Sequence, residues 1–248
     1  MGKLLKYEVR KTMLVKLIIL GVTALLEIVY LIGLYGDQSD AMGIGASLLF
    51  MAAMTGTFVV GLASVVILHR DMNTRQSYML FMTPNSCYKI LGAKVLENGV
   101  SVFLTGAFFF ALGALDISLA FAKEGSLNEL WKMIQEFLTS MDERLRVDLP
   151  TLAALTVNIL CGWISTVMAA YLGEVISAAL LNGKRMNGIV SFLAILLLII
   201  AISMLQNFVG KGFEEMIVMM LIRSLVALVC SVIMYFATAR IMEQWLSV

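Results

Sequence analysis

Apolar residues in this chain neither alternate nor keep to one helical face. They run on in six long stretches, at about 14–35, 41–68, 90–115, 151–181, 188–208 and 216–239. A helix rises about 1.5 Å per residue, so about 20 residues cross a hydrocarbon core of ~30 Å, and every stretch is long enough. The first exceeds the ~7–15-residue apolar region of a signal peptide, and no A-x-A-like cleavage site follows it at Gly36-Asp37-Gln38, so it reads as a retained helix. The pattern predicts an all-α polytopic membrane protein with six transmembrane helices. It forms a single transmembrane domain over 1–248, with no room for a second soluble domain. No internal repeat stands out.

Three segments depart from this pattern. Residues 1–13 place Lys3, Lys6 and Arg10 along one helical stripe and Leu5, Val9 and Met13 along the next, which predicts a helix lying in the membrane interface. Segment 126–146 repeats Leu127, Leu130, Trp131, Ile134, Phe137, Leu138, Met141 and Leu145 between polar residues. It predicts an external amphipathic helix that either rests on the leaflet or lids the outer mouth. The connection 70–89 runs from a polar half into Tyr78, Met79, Leu80, Phe81 and Met82, and Pro84 ends the helix. Five large apolar side chains in a row at a turn need a cover, either the ends of neighbouring spans or a soluble partner.

Composition agrees: 60% of residues are hydrophobic, 14% are charged, and the mean hydropathy is +0.93, against roughly a quarter charged in a soluble domain. With 18 Lys+Arg and 17 Asp+Glu the balance gives no sign of a nucleic-acid partner. The basic residues are sorted by side, however. Lys3, Lys6, Arg10, Lys11, Lys16, Arg70, Arg75, Lys89, Lys94, Lys184, Arg185 and Arg240 fall at the termini and the even-numbered connections. The alternate connections hold only Lys123, Lys132, Arg144, Arg146 and Lys211, and the first of them, 36–40, holds no base. The positive-inside rule therefore places both termini in the cytoplasm of a cell whose plasma membrane holds the chain. Cys87, Cys161 and Cys230 then lie in the cytoplasmic segment or within spans, and no disulfide is expected.

Enzyme chemistry is not expected in this chain. Gly183-Lys184 and Gly210-Lys211 lack the GxxxxGK[ST] context of a phosphate loop. His69 is the only histidine and reads as an interfacial residue, and neither GxSxG, HExxH nor metal-ligand spacing occurs. Charged residues inside spans are the candidates, because lipid makes them costly. Glu27 and Arg223 lie at similar depth near the outer ends of the first and sixth spans and can pair, as a structural ion pair or along a substrate path. Glu97 and Glu174 lie near the inner ends of theirs, where they either hydrogen-bond to neighbouring helices or draw in a cationic substrate. Lys94, one turn before Glu97, can neutralise it.

The stretch MLFMTPNSCYKILGAKVL, residues 79–96, resembles the coupling stretch of the ABC-2 type permeases, the membrane halves of ATP-driven exporters. There an apolar run, a T-P pair (Thr83, Pro84) and a G-x-K (Gly92, Lys94) lead into the third span. The order of an interfacial helix, six spans and a cytoplasmic connection after the second is similar too. By size the chain looks most like compact Gram-positive peptide-exporter permeases of the phenol-soluble modulin type, although its fifth connection, 209–215, is shorter than in many relatives. The resemblance implies two permease copies and two copies of a cytoplasmic ABC ATPase, with ATP and Mg bound on the ATPase and no cofactor in this chain. It also implies a coupling role for Tyr78, Met79, Leu80, Phe81, Met82 and Pro84, and export of amphipathic peptides or other hydrophobic compounds. The other classes consistent with the residues are an ion-coupled secondary transporter, with Glu27, Glu97, Glu174 and Arg223 as a relay, and a membrane assembly or immunity factor.

Overall fold

A computed structural model describes residues 2–36, 38–73, 86–123, 132, 149–181, 187–213 and 215–245. Six helices fill these segments: α1 (Gly2–Tyr35), α2 (Ser39–Asn73), α3 (Cys87–Lys123), α4 (Leu149–Leu181), α5 (Asn187–Gly210) and α6 (Met216–Trp245). All six are long and apolar enough to cross a membrane. Most outrun the apolar stretches that announce them, because polar residues at both ends extend the same hydrogen-bond ladder. The 37 residues of α3 span roughly 55 Å. The first helix runs through residue 13 without a break, so the expected boundary between an interfacial helix and the first span is not a helix end.

Burial departs from that of a soluble protein in what is left outside and what is taken in. Phe110 and Phe208 are 81% and 80% exposed, while Lys94 and Glu97 are 1% and 2% exposed. Apolar side chains cost nothing against lipid, whereas polar groups there must find partners inside the protein.

The chain divides into two compact units. The first comprises Met1–Val9, Leu62–Gly99 and Asp148–Val248. Its core gathers Leu68, Leu91, Met168, Tyr171, Val175, Ala239 and Met242, with α4 packed against both α5 and α6. Small residues make that approach possible: a Cβ at Gly173 would lie 2.5 Å from Ile195 Cγ1 and 3.1 Å from its backbone nitrogen. The second unit comprises Arg10–Gly61 and Val100–Val147. It centres on Tyr30, Leu34 and Leu49, with Leu26, Met42 and Leu112 around them. Here α1 and α2 form a tight hairpin, in which a Cβ at Gly33 would overlap the backbone nitrogen of Met42 and one at Gly45 would lie 2.7 Å from Tyr30 Cα. Lys123 closes this unit by donating to the carbonyl of Leu34 at the end of α1, where the helix dipole is negative.

Candidate functional site

Among the described residues, a concentration of buried charge lies in the first unit, where the start of α1, the end of α2 and the beginning of α3 meet. Lys94 Nζ donates to Asp71 Oδ2 at 2.7 Å and to Glu8 Oε2 at 2.9 Å. All three side chains are buried. Each helix brings one member, so the cluster locks three helices in register. An ammonium removed from water costs several kcal/mol, and only close, hydrogen-bonded counter-ions repay it.

One turn further along α3 the buried chain of polar contacts continues. Asn98 Nδ2 donates to Ser64 Oγ of α2 at 2.6 Å, Trp163 Nε1 of α4 donates to Asn98 Oδ1 at 3.1 Å, and Tyr171 Oη donates to Ser64 Oγ at 2.8 Å. Lys94, Glu97 and Asn98 fall within one turn of α3, on the face that a helix buries as a stripe. Glu97 is accordingly buried beside them. What the arrangement can do is mechanical. Buried charges and amides held by partners on other helices favour one register of α1, α2, α3 and α4 and penalise a partial slip.

Glu174 meets His69. Its Oε2 lies 2.6 Å from His69 Nδ1, so α4 and α2 are tied at a second point in the same unit. With the glutamate ionised, Nδ1–H is the donor. The histidine read as interfacial is thus half-buried and holds a carboxylate from another helix.

In the second unit the carboxyl groups of Glu27 of α1 and Asp116 of α3 come close enough to interact. Glu27 Oε2 and Asp116 Oδ1 are both buried and have no hydrogen-bond partner among the described residues. Tyr30 Oη, one turn from Glu27, donates to the backbone carbonyl of Asp116 at 3.0 Å. Arg223 belongs to the first unit and lies against the last residue of α5, where an ideal Cβ at Gly210 would sit 2.8 Å from its Nε. The carbonyls at a helix C-terminus are a favourable place for a guanidinium. Within its own unit Glu27 has Asp116 as a neighbour, and Arg223 within its own has the end of α5.

No family model, curated protein or solved structure matches this chain. What the site can do rests on its own residues.

Tyr78, Met79, Leu80, Phe81, Met82 and Pro84 lie outside the described residues, as does nearly all of the segment 126–146. The sequence reading missed Glu8, Asp71 and Asp116. Glu8 stands among Lys3, Lys6, Arg10 and Lys11, and Asp71 follows Arg70, so both read as solvated charges that offset near neighbours. The available signal was that Asp71 and Lys94 bracket the connection 70–89 at opposite ends. Asp116 lies one residue past the expected end of the third span, and α3 carries it inside.

Proposed function

We propose that this chain is the permease subunit of an ATP-driven ABC exporter. Two copies would work with two copies of a cytoplasmic ABC ATPase and move amphipathic peptides or other hydrophobic compounds out of the cell. In this reading both termini are cytoplasmic, the start of α1 lies along the inner interface, and residues 78–82 form the coupling helix that docks into the ATPase. Segment 126–146 is the external amphipathic helix. The observation that carries the reading is the Lys94 cluster. Asp71 and Lys94 bracket the coupling stretch and are joined 2.7 Å apart in a dry, charge-paired contact, with Glu8 as second partner. A push on the connection is then delivered to three helices together, because the ion cluster resists slipping. The test is co-purification of the chain with an ATPase encoded beside it, followed by ATP-dependent peptide export in reconstituted vesicles. Export driven by an ion gradient without any ATPase would reject it.

The two neighbouring buried carboxyl groups, Glu27 and Asp116, favour a second reading, ion-coupled secondary transport, because a carboxyl pair inside a span can hold and release a proton. Vesicle uptake driven by an imposed pH gradient, and lost in Asp116→Asn, distinguishes it from the first.

A further inference from the structure

Within the second unit a crevice of about 260 Å³ opens between α1, α2 and α3. Its walls are apolar, among them Ile19, Leu104, Phe108 and Phe109, and at one end stands Lys16, whose Nζ donates to Ser101 Oγ at 2.6 Å. The hydrogen bond fixes the ammonium at the crevice, since Ser101 is itself buried. From Ser101 the α3 wall continues through Thr105 to Phe108, two turns or roughly 10 Å of helix. Along α1, Lys16 is the last base after Arg10 and Lys11, and no charged residue follows before Glu27. The amine therefore marks the border of the apolar layer, and the slot leads from it into that layer.

We propose that this crevice binds an anionic phospholipid, with the phosphate on Lys16 and the upper part of one acyl chain in the slot. The shape and the charge argue for this occupant together. A cation at the headgroup level joined to a two-turn apolar slot running along the helices matches a lipid, which has the same two parts in the same order. A net-negative headgroup is favoured over a zwitterionic one, whose own ammonium competes with Lys16 for the phosphate. The site is separate from the Lys94 cluster and stands or falls independently of the transport reading.

The test uses the full chain, purified and delipidated in a neutral detergent, with lipid binding followed by native mass spectrometry. Dioleoyl phosphatidylglycerol is expected to bind about five-fold more tightly than dioleoyl phosphatidylcholine, the scale of one basic residue at an anionic surface. Lys16→Met should remove that preference, Lys16→Arg should keep it, and Lys11→Met should leave it unchanged. Thr105→Trp, which fills the slot, should weaken both lipids. Retained preference in Lys16→Met overturns the proposal. Glycerol phosphate binding as well as the lipid would make the site a free-anion site and also overturn it. So would a dimer that binds no lipid while its monomer does, since a second copy would then be the occupant.

Discussion

Lys94 and Asp71 are joined at 2.7 Å across the two helices that bracket the connection 70–89, with both side chains buried. The sequence separation is 23 residues, and the two ends of the connection are thereby fastened to each other inside the protein. Removing the lysine takes away the ammonium that the buried carboxylates of Asp71 and Glu8 share. Lys94→Met should lower stability by about 3–5 kcal/mol, and the triple variant Glu8→Gln, Asp71→Asn, Lys94→Met should recover most of the loss. Thermal unfolding in detergent reads both, and a single variant as stable as the parent would show that the cluster contributes no net stability.

The coupling assignment makes a separate prediction. Phe81→Asp would put a charge where an apolar docking surface is expected, at a cost on the order of a few kcal/mol. Recovery of the ATPase with the tagged permease should fall while membrane insertion is unchanged. Undiminished recovery would remove residues 78–82 from the interface.

Glu27 and Asp116 should behave as one unit. In a double-mutant cycle with Glu27→Gln and Asp116→Asn, contacting groups show a coupling of about 0.5–3 kcal/mol. Purely additive losses would mean that the two carboxyl groups do not interact. A cycle run in parallel with Arg223→Gln asks whether Glu27 also depends on that base.

Glycine substitutions should sort by what a methyl group would meet. Gly33→Ala drives a Cβ into the backbone of Met42 in the α1–α2 hairpin, where neither side can give way, and a loss of about 1–3 kcal/mol or more is expected. Gly106→Ala meets nothing within 4 Å and should be neutral or stabilising by roughly 0.5–1 kcal/mol through helix propensity. Equal effects at the two positions would contradict the close packing of that hairpin.

The six helices were legible because length and hydropathy decide membrane crossing almost alone. The burial of Glu97 was legible too, since its position inside the third apolar stretch leaves no water to face. Partners were not. A helix apolar all round gives no sign of which face meets which neighbour, so depth alone could not point from Glu27 to Asp116, which the rotation of α1 and α3 brings beside it. The same gap hid Glu8 and Asp71, whose flanking bases made them look like surface charges. The contact of His69 with Glu174 was hidden as well, because it depends on how α2 and α4 face each other.

The Lys94 cluster also bears on how the chain enters the bilayer. Glu8 and Asp71 precede Lys94 in sequence, so during synthesis both carboxylates have emerged before the ammonium that needs them. The third helix can thus be handed from the insertion machinery directly to waiting counter-ions, without its lysine first resting bare against lipid. A permuted chain that made the third helix first would lose that order, and its biogenesis would suffer even though the finished fold could be identical.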